Sequence, residues 1–207
     1  MRAMDRRTLL ALLLLAPRAA RAQTLSAQDR ADLARIERYL NTLRTLKARF
    51  LQIAPNGNTS EGTAWIERPG RLRFDYDPPA PFLLVAGHGG VMFHDRKLQQ
   101  TSNFPLSQTP LGMLLAETVQ LSGDTTIETI DRQPGLLQIT LHRTGHLADG
   151  SLTLVFADAP LQLRQWSVLD PQRLETRVSL FNISVGETFD QKLFDIADPR
   201  TNIGPNR

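Results

Sequence analysis

Apolar residues follow two different periods along this chain. Between residues 26 and 46 they recur at spacings of three and four, which is typical of one face of a helix. These apolar positions are Leu33, Ile36, Leu40, Leu43 and Leu46. Ser26 and Asp29 have the spacing of a capping box, so we expect the helix to begin there and to end near Lys47. After this point apolar and polar residues mostly alternate, which predicts β-strands.

Alternating segments separated by turn residues predict about ten strands. They cover residues 48–53, 63–68, 71–76, 82–86, 91–94, 98–103, 137–142, 152–156, 162–169 and 174–185. Turn-forming pairs such as Asn56-Gly57 and Asp170-Pro171 stand between them. This regular spacing favours one antiparallel sheet, and a sheet of this size curls rather than staying flat.

One segment in the middle of the chain breaks the strand pattern. Thr109 is a candidate cap, Pro110 suits the first helical position, and an apolar run follows over residues 111–116. We therefore predict a short helix over Thr109–Ala116. The predicted fold class is mainly β (α+β): a large curved antiparallel sheet that forms an open half-barrel, covered by a helical lid. Its interior would hold either packed side chains or a ligand.

Residues 1–22 have the features of a signal peptide. The segment begins with arginines, continues with the apolar run Leu9–Ala16, and ends in the small-x-small pattern Ala20-Arg21-Ala22. The apolar run is too short to span a bilayer, which takes about 20 residues. We expect the mature chain to begin at Gln23 and residues 23–207 to form a single domain. The pair Arg6-Arg7 leaves the general and the twin-arginine export routes both open.

The net positive charge of the whole chain comes from the predicted signal peptide. Of 24 Lys+Arg and 21 Asp+Glu in the chain, five bases and one acid lie in residues 1–22, which leaves 19 bases and 20 acids. A net charge of −1 gives no support for nucleic-acid binding, which usually shows as a concentrated basic patch. The chain contains no Cys. This excludes disulfides, thiolate metal sites and lipid attachment to a cysteine of this chain.

The candidate catalytic residues are few. His142 and His146 are four apart, but the first is predicted at a strand end and the second in a turn, so the helical zinc geometry is missing. Asp75 and Asp77 lie on one strand face and could be an acid/base pair, although a solvated strand end before two prolines is the simpler reading. We expect no enzyme activity, no metal and no cofactor; a hydrolase is kept as a remote alternative.

Several segments resemble the LolA family of lipoprotein carriers, in the family's order and spacing over nearly the whole mature chain. They are ARFLQ (Ala48–Gln52), EGTAWIERPGRLRFDY (Glu61–Tyr76), the strand pair Pro81–Ala86 and Val91–His94, TPLGMLLA (Thr109–Ala116) and VSLFNISVGETFDQKLFDIADP (Val178–Pro199). The chain departs from the family at residues 87–90, where Gly-His-Gly-Gly stands in place of a frequent Asp-Gly turn.

The resemblance implies a periplasmic carrier that holds lipoprotein acyl chains in an apolar cavity under the lid. Such a carrier receives acylated lipoproteins from an inner-membrane ABC transporter complex and passes them to an outer-membrane acceptor of the LolB type. We expect it to act as a monomer, without nucleic acid. Whether it also performs the acceptor's step stays open. The alternative is a LolA-like periplasmic carrier or sensor for another lipid, such as a glycolipid or a sterol-like molecule.

The same resemblance gives the expected site residues. The Arg of the Arg-Pro pair, Arg68, is expected to hydrogen-bond to the lid and latch it from the rim of the sheet. Candidates for the cavity lining, each of which could instead be ordinary core, are Trp65, Leu72, Phe74, Phe82, Leu84, Met92, Leu111, Met113 and Leu114.

Overall fold

The computed structural model describes residues 25–196. The predicted signal peptide lies outside the described residues, as does the expected new amino terminus at Gln23. Within the described range no helix is both long and apolar enough to cross a membrane.

The first helix, α1, spans Ala27–Thr42 and begins with the predicted capping box. The Asp29 N–H donates to Ser26 Oγ (3.0 Å), and the Ser26 N–H donates to the Asp29 carboxylate (2.8 Å). The helix ends at Thr42, earlier than the pattern predicts, because Leu46 already belongs to a strand that pairs on both sides. Leu46 continues the apolar spacing of the helix, and backbone pairing decides the conformation there.

Eleven antiparallel strands form one sheet in the described part of the chain. They are β1 (Thr45–Ile53), β2 (Thr59–Glu67), β3 (Arg71–Tyr76), β4 (Phe82–Gly87), β5 (Gly90–Asp95), β6 (Gln100–Pro105), β7 (Thr125–Gln133), β8 (Leu136–Arg143), β9 (Ser151–Asp158), β10 (Leu161–Leu169) and β11 (Glu175–Val185). Their order is β6-β5-β4-β3-β2-β1-β11-β10-β9-β8-β7. Over residues 25–196 the edge strands β6 and β7 pair on one side only, so the sheet stays open.

The sheet is strongly curved, as the predicted half-barrel requires. Strands β3 and β10 are four strand spacings apart, which would be about 19 Å in a flat sheet. Yet the rings of Phe74 on β3 and Trp166 on β10 have centroids only 5.9 Å apart. The face that curls around these rings is called the inner face below.

Strand β7 was not among the predicted strands. Its sequence TTIETIDRQ alternates poorly, and most of its side chains are exposed or half-buried. An edge strand has one neighbour and little core to cover, so its pattern of apolar residues is weak. Pairing with β8 fixes it as a strand.

The predicted mid-chain helix is shorter than expected. The helix α2 spans only Leu111–Leu114, after a 3₁₀ turn over Leu106–Gln108. The Thr109 side chain does not cap it, because its hydroxyl donates to the Leu106 carbonyl (2.8 Å). Two further 3₁₀ turns span Leu147–Asp149 and Gln191–Phe194.

Both helices lie over the inner face, where one core joins them to the sheet. A second, small cluster of Leu83, Val85 and Met92 lies on the outer face, with Ile196 packed against it. The segment around the last 3₁₀ turn crosses this face: Arg73 donates to the Leu193 carbonyl (3.2 Å). Strands β4 and β5 therefore have apolar side chains on both faces: the inner ones pack in the main core, and the outer ones pack under the carboxy-terminal segment.

Candidate ligand cavity and lid

The segment from residue 107 to residue 121, which includes α2, lies over the inner face and is called the lid below. Between the sheet and the lid is an apolar space of about 290 Å³, called the aromatic cavity. Its lining residues are Gln52, Phe74, Tyr76, Leu84, Val91, Phe104, Thr109, Leu111, Trp166, Val168, Thr176 and Val178. They come from β1, β3–β6, β10, β11 and the lid. This volume lies just under the range of about 300–1,000 Å³ typical of ligand pockets.

Aromatic rings in edge-to-face contact form one wall of the cavity. Phe50 lies 4.6 Å from Phe74 and 5.0 Å from Tyr76 between ring centroids, and Tyr76 continues to Phe82 at 5.7 Å. The Tyr76 hydroxyl donates to Gln52 Oε1 (2.7 Å), and burial raises the pKa of Tyr76 to about 12. The phenol therefore stays neutral and hydrogen-bonded, and the wall presents an uncharged apolar surface.

Arg68 follows directly after β2 and is only 4% exposed, so it lies inside the molecule rather than at an open rim. Its guanidinium donates to the Ala116 carbonyl from Nε (3.1 Å) and Nη2 (2.6 Å), and to Glu117 O (3.4 Å). On the other side it donates to the carbonyls of Leu40 and Leu43. One side chain thus joins the end of α1 to the segment after α2.

The partners of Arg68 explain how a buried cation is accommodated. Burial lowers the pKa of Arg68, and the positive charge of Arg44 adds to this effect. The carbonyls at the carboxyl end of a helix lack partners within the helix and carry partial negative charge. Because the fixed fork of a guanidinium offers five donors, Arg68 satisfies several such carbonyls at once.

Three further side-chain contacts attach the lid. Asn41 and Val119 exchange two hydrogen bonds of 2.9 Å between the amide side chain and the backbone. The Leu121 N–H donates to Glu37 Oε1 (2.7 Å). Arg143 on β8 donates to the Ser107 carbonyl before α2. The segment from residue 107 to residue 121 is therefore held by side chains from α1, by Arg68 and by a side chain from β8, and the sequence predicted only Arg68 among them.

The predicted lining residues fall into three groups. Phe74, Leu84 and Leu111 line the aromatic cavity. Leu72, Phe82, Met113 and Leu114 also belong to or pack against the inner-face core, outside the cavity lining. Trp65 and Met92 were predicted to line the cavity, but strand alternation turns both side chains to the outer face. Trp65 pairs with Arg73 there, and Met92 belongs to the small outer cluster.

Several lining residues were missed because they come from distant parts of the chain. Trp166 and Val168 on β10 face the cavity beside Val178 and Thr176 on β11. The hairpin at Asp170-Pro171 was predicted, and its register would have placed these four side chains on one face. The pattern could not show that this face curls over β3.

Two larger grooves have a more polar lining than the aromatic cavity. One of about 770 Å³ lies between the β1–β2 and β3–β4 turns and is lined partly by Asn56, Ser60 and Asp77. The other, of about 730 Å³, runs beside α2 and includes Thr118 and Arg143. Their polar residues make them less suited to an acyl chain than the aromatic cavity.

The remaining candidate residues pair with neighbours. Burial would raise the pKa of Asp75, but hydrogen bonds from Arg96 and Arg73 outweigh it and hold that pKa below its ordinary value. The hydrogen bond from Arg49 lowers the pKa of Asp77. His142 contacts Glu128 (2.8 Å), and His146 contacts Asp149 (3.2 Å). Within residues 25–196 no three His, Asp or Glu side chains come together as a metal site.

A family model and individual relatives both relate this chain to outer-membrane lipoprotein carrier proteins. The family described as "Outer membrane lipoprotein carrier protein LolA" matches residues 41–197. An outer-membrane lipoprotein carrier protein from Methylococcus capsulatus is 29% identical over 174 residues, which cover 80% of this chain and 83% of that protein. A protein of the same description from Pseudomonas paraeruginosa is 28% identical over 192 residues, covering 84% and 86%. The family match therefore spans the residues that form the sheet, the lid and the cavity of this chain.

A structural neighbour is a LolA superfamily protein from Nitrosomonas europaea, with a TM-score of 0.43 and 8% identity. The match covers 79% of this chain and 97% of that protein.

Proposed function

The chain belongs to the LolA family of outer membrane lipoprotein carrier proteins, and from this premise we propose that it carries lipoproteins by enclosing their acyl chains in the aromatic cavity. The observation that supports this proposal most directly is the cavity itself. It combines an apolar aromatic wall with a lid whose backbone carbonyls accept hydrogen bonds from the buried Arg68 side chain.

The energy of acyl binding favours such a site. Each buried CH₂ contributes about 0.8 kcal/mol, so a long acyl chain contributes on the order of 10 kcal/mol. The present volume of about 290 Å³ is small for a long chain. Full binding therefore requires the lid to move away from the sheet, which enlarges the space below Leu111.

Arg68 is proposed as the latch of this lid. Each hydrogen bond of a charged group contributes about 1.5–3 kcal/mol, and removing the lid breaks several of them. This is enough to favour the closed empty form, yet less than the gain from burying an acyl chain. Cargo can then open the lid, and the return of the lid onto Arg68 helps to expel the cargo at the acceptor.

The proposed lining follows the placement of the side chains. Phe74, Leu84 and Leu111 form part of the acyl site, and Met113 provides an adaptable contact on the moving segment. Leu72, Phe82 and Leu114 support this lining from the core. Trp65 and Met92 have no part in it because they face the other side of the sheet.

The proposed route is that of the family resemblance. The carrier would receive acylated lipoproteins in the periplasm from an inner-membrane ABC transporter complex and deliver them to an outer-membrane acceptor of the LolB type. It would act as a monomer without a cofactor, as a chaperone and not as an enzyme.

Mass spectrometry of the protein purified from the periplasm tests this proposal. We expect acylated lipoproteins to co-purify with it, and Leu111→Asp to lose them because a charge enters the cavity. Leu147→Asp is the matched control, since Leu147 is 54% exposed and lies outside the cavity. If a glycolipid or sterol-like ligand co-purifies in place of lipoproteins, the proposed cargo is wrong. If both variants bind equally well, the cavity is not the binding site.

A further inference from the structure

The two edges of the open sheet differ in charge. Strand β7 carries Glu128, Asp131 and Arg132, whereas β6, with the sequence QTSNFP, has no charged residue. Charged side chains on an edge strand hinder the addition of another strand. By this criterion β7 is protected and β6 is open to pairing.

The β7 edge is also tied to α1. Arg132 on β7 forms ion pairs with Asp29 (2.6 Å) and Asp32 (2.8 Å) at the start of the helix. A chain that approached this edge would have to compete with these contacts. The start of α1 therefore protects the β7 edge a second time.

Among residues 25–196 only β5 pairs with β6, and the register of this pair shows which main-chain groups of β6 it leaves free. The Leu106 N–H donates to the Gly89 carbonyl (2.9 Å), and β6 pairs with β5 in antiparallel register. Hydrogen-bonded and non-hydrogen-bonded pairs alternate along such a ladder. Thr101, Asn103 and Pro105 therefore direct their main-chain groups away from β5. Thr101 and Asn103 each offer a donor and an acceptor, and Pro105, which has no N–H, ends this row.

The aromatic cavity lies on the same side of the molecule as β6. Phe104 lines the cavity and is still 38% exposed, so it stands where the cavity meets solvent. Thr109 of the lid lines the cavity beside it. An acyl chain that enters past Phe104 leaves its headgroup next to the free edge of β6.

We propose that β6 binds the polypeptide segment that follows the acylated residue of the cargo, which adds to the sheet as an extra strand along Thr101 and Asn103. This inference rests on the proposed carrier function and extends it from the lipid to the protein part of the cargo. Strand addition uses main-chain hydrogen bonds, so it accepts segments of different sequence. A short row of donors and acceptors gives weak binding that does not prevent release.

Two synthetic probes test the proposal on the purified protein: a diacylated cysteine amide, and the same lipid followed by a short peptide. Asn103→Pro removes the outward N–H at an edge position that tolerates proline, and Asn103→Ala keeps it. We expect Asn103→Pro to bind the lipopeptide about two- to tenfold more weakly, which corresponds to the loss of one hydrogen bond, with unchanged binding of the amide. Asn103→Ala should bind both probes normally.

Equal weakening for both probes, or none for either, would overturn the added strand while leaving the carrier function intact. Failure of the unmodified protein to bind either probe would overturn the carrier function and this inference together. A photo-crosslinking residue at position 103 should react with the peptide of the bound probe, and one at Asp131 on β7 should not. Reaction at Asn58, without reaction at position 103, would place the peptide in the groove between the β1–β2 and β3–β4 turns and would rule out β6 as its binding site.

Discussion

The inner face of this half-barrel has a packed side and a hollow side. On the packed side, β8 and β9 lie under α1, and Ile139, Leu154 and Phe156 are at most 1% exposed. A space of only about 10 Å³ lies there between the helices and residues such as Leu141 and Leu154. On the hollow side, β3–β6 together with β10 and β11 surround about 290 Å³. One continuous sheet thus carries a solid core and a cavity.

The side chains explain the difference. The packed side is built mainly from leucine and isoleucine, whose branched chains interdigitate closely. The hollow side is built on aromatic rings: Phe74 meets Trp166 edge-to-face and packs against Tyr76 in a tilted arrangement. A flat, rigid ring at a fixed strand position cannot bend into a neighbouring gap. We infer that stability comes mainly from the packed side and lipid binding from the hollow side.

Truncating one phenylalanine on each side gives the largest expected effect. Phe156→Ala should lower the free energy of unfolding by about 3–5 kcal/mol, because it leaves a void in a closely packed core. Phe104→Ala should lower it by less than about 1 kcal/mol, because Phe104 borders solvent and the cavity. Urea unfolding of both variants measures this. Equal losses would show that the division into two sides is wrong.

Adding volume should distinguish the sides with a smaller effect. Leu154→Phe overpacks the solid core and should cost about 1–3 kcal/mol of unfolding free energy. Val168→Phe extends into the cavity, so it should leave stability nearly unchanged and weaken acyl binding. Thermal unfolding together with binding of a fluorescent fatty acid measures both quantities. A stability loss in Val168→Phe as large as in Leu154→Phe would mean that the cavity cannot accept added atoms.

Arg68 connects the two sides, since it bonds both to the end of α1 and to the segment after α2. Arg68→Leu should still accept lipoprotein but transfer it at least about tenfold more slowly, because the closed form loses about 1.4 kcal/mol or more relative to the open one. Arg68→Lys should be milder, since it keeps the charge and loses the fork. A reconstituted assay that scores release from the inner membrane and transfer to the acceptor separately measures this. Equal loss in both steps would reject the latch.

The ion pairs of α1 give the smallest expected effect. The hydrogen bond from Arg132 lowers the pKa of Asp29 to about 2, below the unfolded value of about 3.9. A folded pKa below the unfolded one contributes stability above about pH 4, and this contribution is lost as the pH falls towards 2. Arg132→Gln should therefore lose less stability than the unmodified protein over this range. Urea unfolding at pH 5, 4 and 3 measures the difference, and identical profiles would show that the pair has no influence on folding.

Some features of the site could be predicted from short stretches of sequence. The capping box at Ser26 and Asp29, the alternation along β2 and β3, and the hairpin at Asp170-Pro171 each depend on neighbouring residues. The position of Arg68 at the end of a strand was also predictable, because Pro69 cannot continue the ladder as a donor. Its burial was not, since that depends on α1 and on the segment after α2, which are distant in the chain.

The sequence by itself determined the class of fold and the residues able to form an apolar interior, because periodicity and turn chemistry act over a few residues. Only the tertiary structure decided which of them face the cavity. Trp65 and Phe74 are both large aromatic residues, but strand alternation and the curvature of the sheet place Trp65 on the outer face and Phe74 beside Trp166. The existence of β7 was likewise decided by pairing with β8. The curvature of the sheet and the closure of the lid depend on contacts between residues far apart in the chain. Such contacts leave no local pattern in the sequence.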